Sequence, residues 1–234
     1  DTNWKQSGYL HKALALVEQW IEEQKVPGLK KEVIEAEGRT PLLLLDLPGT
    51  EDYQVLKYGH LDKQPEMTGW AEGLDPWKAV LKDGKLYGRG GADDGYAVFA
   101  SVCAIQHLLQ FNFPRPHIKV AIEFSEESGS TDLPFYFDNY SEKFGVPNLI
   151  ICLDSGAGNY KQFWTTTSLR GLVNGTLKVQ ILDEGVHSGD ASGVVPSSFR
   201  IARMLLNRIE KLETGEIFVK DFKVKIPKDR LKQA

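Results

Sequence analysis

Cysteine is scarce in this chain, with two among 234 residues. That excludes a disulfide-stapled scaffold. Cys103 and Cys152 both lie in apolar stretches and read as reduced core residues. An excess of one charge is also missing. The net charge is −4 with both signs interspersed, which argues against a nucleic-acid partner, since such a partner favours a basic face. No apolar run approaches the ~20 residues that span a bilayer, so no membrane segment is expected. Internal repeats, low-complexity tracts and a signal-peptide pattern are absent, and Asp1 is expected not to be the native initiator. A cytoplasmic enzyme is the default reading. At 41% hydrophobic and 26% charged, the chain can build one large domain, or one and a half.

Apolar spacing of three and four predicts an amphipathic helix over residues 8–24, ended by Pro27 and Gly28. KKEVIEAEG, PLLLLDLPG and DYQVLKYGH read as successive strands. Asp83-Gly84 predicts a hairpin turn inside WKAVLKDGKLYGRG. YAVFASVCAIQHLLQF is apolar nearly all round and predicts a largely buried helix. HIKVAIEF reads as a strand running to Glu126. TDLPFYFDNYSEKFG reads as one helix with Thr131 near its N-cap. PNLIICLD reads as a strand from the middle of a sheet covered on both faces. Beyond residue 168 the order changes: a strand over 168–182, a long helix over 197–213 and a strand-like run over 216–226 are expected. The fold class is α/β, a central sheet flanked by helices.

Four motifs place chemistry where buried strands run out: His60 and Asp62 in YGHLD, Asp93 in GRGGADD, Glu126 and Glu127 in AIEFSEESGS, and Asp154 in LIICLDSG. In open α/β sheets the C-terminal strand edge is where ligands bind. A carboxylate there is costly unless paired, and several with one imidazole point to a metal. Nitrogen and oxygen donors without thiolate suit zinc, with manganese or cobalt as substitutes. Asp62, two residues from His60, faces the same way on a strand end and can hold the other ring nitrogen. One carboxylate can bridge two metals roughly 3.5–4 Å apart. In the Glu126-Glu127 pair, one carboxylate can bind metal while the other moves a proton.

Taken singly, each motif has a blander meaning. His-x-Asp is often a surface hydrogen bond, Asp93-Asp94 a turn and helix cap, and Glu126-Glu127 a solvated strand end. Asp94 is expected to be only the cap. The Trp-rich stretch 70–77 reads as packing, and the basic segment from Lys220 to Lys232 as an unpaired edge.

GHLDKQP, LYGRGGADDG, SEESGS and LDSG, in that order, resemble the dizinc metallopeptidases that include carnosinases, cytosolic dipeptidases, aminoacylases and succinyl-diaminopimelate desuccinylase. The resemblance implies a zinc-peptidase domain over residues 1–168 and part of an inserted α+β lid and dimerisation domain over 169–234. It implies two zinc ions: His60 and Asp154 on one, Asp93 bridging both, and Glu127 on the second. Glu126 would be the base and later the acid, and Asp62 would orient His60. LRG at 169–171 resembles the entry to the lid, or serves only as a hinge. VHSGDASG at 186–193 resembles the lid segment whose histidine, here His187, reaches the other subunit's site and stabilises the oxyanion. Without the resemblance His187 would be a surface residue. An aspartate at 154 leans toward the dipeptidase branch.

The implied activity is hydrolysis of an amide bond in dipeptides or small peptides. The alternatives are an N-acyl-amino-acid amidohydrolase or carboxypeptidase of the same family, and a catalytically silent fragment that binds metal or a partner. The chain departs from the pattern twice. Gly95 and Tyr96 follow the Asp-Asp pair where the family commonly has Lys then Gly. The family's fifth ligand is a histidine beyond the lid, and this chain stops at Ala234, inside it. His11, His107 and His117 are not expected to replace it.

Overall fold

The computed structural model describes residues 3–166 and 168–233. Asp1 and Ala234, with the expectations attached to the two ends of the chain, lie outside the described residues. The elements run α1 (Trp4–Ser7), α2 (Tyr9–Gln24), β1 (Lys30–Ile34), β2 (Leu42–Leu47), β3 (Gln54–His60), β4 (Val80–Lys82), β5 (Lys85–Tyr87), α3 (Tyr96–Gln110), β6 (His117–Glu123), α4 (Leu133–Asn139), α5 (Ser141–Phe144), β7 (Leu149–Cys152), α6 (Ser188–Ala191), α7 (Ser198–Leu206) and α8 (Lys228–Gln233). Short 3-10 turns cover Glu126–Ser128 and Lys220–Phe222. The chain divides into two compact units, Asp1–Thr167 and Ser168–Ala234. No helix among the described residues is long and apolar enough to cross a membrane.

In the first unit, five strands form a mixed sheet in the order β1-β2-β6-β3-β7. β1, β2 and β6 pair antiparallel, whereas β6, β3 and β7 are parallel. Leu43, Leu45, Leu47, Ile118, Val120 and Ile122 face α2 and α3 in one core layer. Ile34, Leu42, Leu44, Leu56 and Ala121 pack with Tyr136 and Phe144 of α4 and α5 on the other face. β2 is therefore buried on both sides, which explains its unbroken leucine run. At Gly49 a Cβ would overlap the backbone of His117, so only glycine lets the β2 exit pass the start of β6.

α2 buries Leu14, Val17 and Ile21, the spacing that marks an amphipathic helix. Asp83 and Gly84 both take positive φ, 52° and 72°, as the tight β4–β5 hairpin requires.

Several local expectations are corrected. α3 buries only the face carrying Ala97, Val98, Ser101, Val102 and Ile105, while Phe99 and Cys103 stand exposed. Apolar residues on its outer side do not make that side buried. β7 lies at the edge of the sheet among the described residues, not in its middle. Its Leu149, Ile150 and Ile151 are exposed, and Cys152 with them. Neither cysteine is a core residue. β6 ends at Glu123, and Glu126 and Glu127 stand in the 3-10 turn that follows.

The 131–145 helix is two. Tyr140, at φ −134°, interrupts it. Asp132, next to Thr131, is the residue that precedes α4, and its carboxylate is committed elsewhere. It accepts from the Thr40 N–H and hydroxyl at 2.9 Å each and from Arg39 at 2.9 Å.

In the second unit, no strand forms over the described residues of 168–182. Leu172, Val173 and Leu177 are exposed there without a ladder partner, and alternation alone does not hold a strand. The expected 216–226 run is reduced to a bridge between Glu210 and Ile217 and the 3-10 turn. α7 stops at Leu206, well before residue 213.

Candidate metal centre

The parallel trio brings three C-terminal strand ends to one edge. His60, the last residue of β3, sits opposite Glu123 of β6, and Tyr58 opposite Cys152 of β7. Asp154 therefore follows two residues past the sheet on one side of His60, and the Glu126 turn follows on the other. The fourth contribution comes from the turn that opens α3. It comes close because residue 59 is glycine: a Cβ there would overlap the Ala97 methyl and stand 2.6 Å from Asp94 Oδ2.

Asp94 is fully buried and does more than cap. Its Oδ1 accepts from the Ala97 N–H at 3.2 Å, as a helix cap does, while Oδ2 accepts from the His60 N–H at 3.0 Å. One carboxylate thus ties α3 to the end of β3.

His60 is fully buried. Its Nδ1 lies 3.1 Å from the Asp62 carbonyl and 3.4 Å from Asp62 Oδ1. The carbonyl can only accept, so Nδ1 carries a proton, and Nε2 is the nitrogen left to bind a metal once it gives up its own. Nε2 is buried and makes no hydrogen bond among the described residues. Around it stand Asp93 Oδ1 at 3.3 Å, Asp154 Oδ1 at 3.7 Å and Glu126 Oε2 at 3.9 Å. Donor atoms of His60, Asp93 and Asp154 lie within 4.8 Å of one another, as do those of His60, Glu126 and Glu127.

Asp62 reaches further than the histidine. Its Oδ1 accepts from the Glu126 N–H at 3.1 Å and its Oδ2 from the Glu127 N–H at 3.0 Å. It thereby holds the turn that carries both glutamates. Glu127 Oε2 accepts from Gln64, and its Oε1 is buried without a hydrogen bond. Beneath them Glu123, also buried, accepts from Tyr58, from Ser130 at 2.8 Å and from Ser125 at 3.1 Å.

The electrostatics follow from crowding. Burial alone would hold His60 neutral, but Asp62, Asp154 and Asp94 outweigh it and push the imidazole up to about 9. Burial raises Glu126, reinforced by Asp154 and Glu127 and opposed by His60. Burial likewise raises Asp154, with Asp93, Asp94 and Glu127 adding to it and His60 opposing. Carboxylates converging on a buried, unpaired imidazole nitrogen call for a cation in their midst. The donor set fits a divalent metal such as zinc.

Residues 56–163 match peptidase family M20/M25/M40. All six residues of the cluster lie inside that match. The chain carries an M20 peptidase domain. The Beta-Ala-His dipeptidase of Rattus norvegicus is 33% identical over 164 residues, 67% of this chain and 32% of that protein. The cysteinylglycine-S-conjugate dipeptidase of Corynebacterium striatum is 32% identical over 145 residues, 62% of this chain and 32% of that protein. The crystal structure of human carnosine dipeptidase 1 superposes with a TM-score of 0.58 at 24% identity, covering 99% of this chain and 51% of that one, a likeness of fold. The M20 chain thus spans about a third of the length of the curated relatives it matches.

Six of the residues singled out from sequence therefore meet in the M20 domain: His60, Asp62, Asp93, Glu126, Glu127 and Asp154. Asp93 and Glu127 fall in different donor sets, and Glu126 shares the second set with Glu127. His187 lies in the second unit, where its exposed ring accepts from the Gly189 N–H at 3.1 Å and caps α6. His11 pairs with Glu35, and His117 with Asp46 at the start of β6. Sequence reasoning missed Glu123, Gln64 and the second role of Asp94. Glu123 carried a readable signal, a glutamate between the apolar Val120-Ala121-Ile122 and Phe124.

Proposed function

We propose that this M20 domain hydrolyses an amide bond in dipeptides or small peptides at a two-zinc centre. The observation that carries the reading is His60 Nε2: buried, without a hydrogen bond, and faced by three carboxylates within 3.9 Å. His60, Asp93 and Asp154 would hold one ion, and Asp93 with Glu127 the other. When bound, the metal supplies a Lewis acid for the scissile carbonyl and for the attacking water.

The chain's own residues supply the rest. Glu126, one-third exposed and with its pKa raised, is suited to take a proton from water at Oε2 and return it to the leaving amine. Asp62 fixes the backbone from which Glu126 projects. His187 would stabilise the oxyanion in a partner subunit, with residues 169–234 forming the dimer contact. Exposed Leu169, Leu172, Val173, Phe199 and Met204 are consistent with that role. The dipeptidase names among the relatives favour free dipeptides over N-acyl amino acids. Both cysteines are free, in keeping with a cytoplasmic setting.

A silent metal-binding chain is the rival, and it draws on His60 being the only histidine in either donor set among the described residues. Metal analysis combined with a panel of free-amine dipeptides and N-acyl amino acids tests both. Two zinc ions per chain and dipeptide turnover are expected. At most one weakly held ion, with no hydrolysis of either substrate class, would establish the rival.

A further inference from the structure

Beside the donors and Asp94 stands a cation. Lys63 follows Asp62 and turns its side chain back beneath the site. Its Nζ donates to the carbonyls of Leu61 at 3.1 Å and Asp62 at 3.4 Å, and to that of Asp94. The first two carbonyls belong to the turn that carries His60 and Asp62. The third belongs to the separate turn that carries Asp93. An ammonium has three protons, and here they meet three backbone acceptors from two segments about thirty residues apart in sequence. Lys63 forms no ion pair within 4.0 Å among the described residues; its three hydrogen bonds go to backbone carbonyls, while Asp94, Asp62, Asp93 and Glu127 attract it from further off.

The loop before α3 is shaped around this side chain. At Gly90, φ is +78°, and a Cβ would overlap Cδ and Cε of Lys63. At Gly95 a Cβ would stand 2.6 Å from the Gly90 carbonyl oxygen and 3.3 Å from Lys63 Nζ. Glycines on both sides let the loop close over the lysine stem. Asp93, between them, reaches within 3.3 Å of His60 Nε2.

We infer that Lys63 is a positioning residue, a staple between the His60 turn and the Asp93 loop that sets the separation of those two donors and hence metal affinity. This inference rests on reading the cluster as a metal centre. Residues that orient metal donors without touching the ion commonly alter affinity about 10- to 100-fold.

Lys63→Met tests it, because methionine keeps an apolar stem against Gly90 and removes all three donated hydrogen bonds. Cobalt is titrated into the full chain and followed by visible absorption, and thermal unfolding of the metal-free protein is recorded in parallel. The expected result is cobalt affinity reduced about 10- to 100-fold with the metal-free midpoint little changed. Gly95→Ala, which crowds the Gly90 carbonyl and Nζ, should weaken cobalt in the same direction. Equal cobalt affinity in wild type and both variants overturns the proposal alone. A lowered midpoint with unchanged affinity of the folded protein also overturns it, since that is a purely structural role. A wild-type chain that takes up no cobalt overturns the metal reading, and the staple with it.

Discussion

At the scale of single residues, the division of labour around His60 makes two substitutions separable. Glu126 reaches the cluster from the outside and is held there by its backbone N–H on Asp62, so its side chain can change without moving its neighbours. Glu126→Gln should lower kcat about 100- to 10,000-fold and leave zinc content near the wild-type value. Steady-state kinetics with metal analysis on one preparation checks this, and zinc lost along with activity would reassign Glu126 as a ligand. His60 differs because it is common to both donor sets. His60→Ala should therefore lower metal content outright, and undiminished zinc in that variant would mean the ions sit elsewhere.

At the scale of elements, α4 is tied to the β1–β2 connection by two side chains. Asp132 takes hydrogen bonds from Thr40 and Arg39, and Tyr136, one turn on, donates to the Thr40 carbonyl at 2.6 Å. Burial raises the Asp132 carboxyl, but those bonds outweigh it and hold it below the usual carboxylate range. A depressed folded pKa contributes stability that is fully present above the unfolded value, near about 4, and disappears as pH falls through the lower folded value. Asp132→Ala should cost about 2 kcal/mol at neutral pH. It should also flatten the loss of stability on acidification, as urea unfolding at a series of pH values would read. The elements themselves were largely legible in sequence: helix α2, the first three strands and the β4–β5 hairpin follow from apolar spacing and turn residues. What stayed hidden depended on neighbours. The strand expected over 168–182 needed a partner its alternation could not supply, and β7 looked central because an apolar strand does not reveal how many sheet neighbours it has. Glu126 and Glu127 were legible as a pair, but Asp62 as the anchor of their turn was not, since that contact joins segments more than sixty residues apart.

At the scale of the whole molecule, every residue of the cluster belongs to the unit Asp1–Thr167, and none to Ser168–Ala234. Metal bound to the folded state and not to the unfolded chain raises stability by mass action, about 4 kcal/mol when free metal is a thousandfold above its Kd. Chelation should therefore lower the unfolding temperature of the first unit and leave any separate transition of the second where it was. Calorimetry with and without chelator reads both. A single transition unmoved by chelation would argue against metal in the cluster.

The parallel pairing of β6, β3 and β7 has one more consequence. The donors it gathers run from residue 60 to residue 154, and no short segment contains a complete set. A nascent or denatured chain then has nothing with which to capture an ion, unlike small zinc modules whose metal organises them from the start. Parallel pairing must also close long loops before any contact rewards it, which makes it slow. Metal uptake by this cluster would accordingly be a late event, and its time course would serve as a clock for completed folding and not as its trigger.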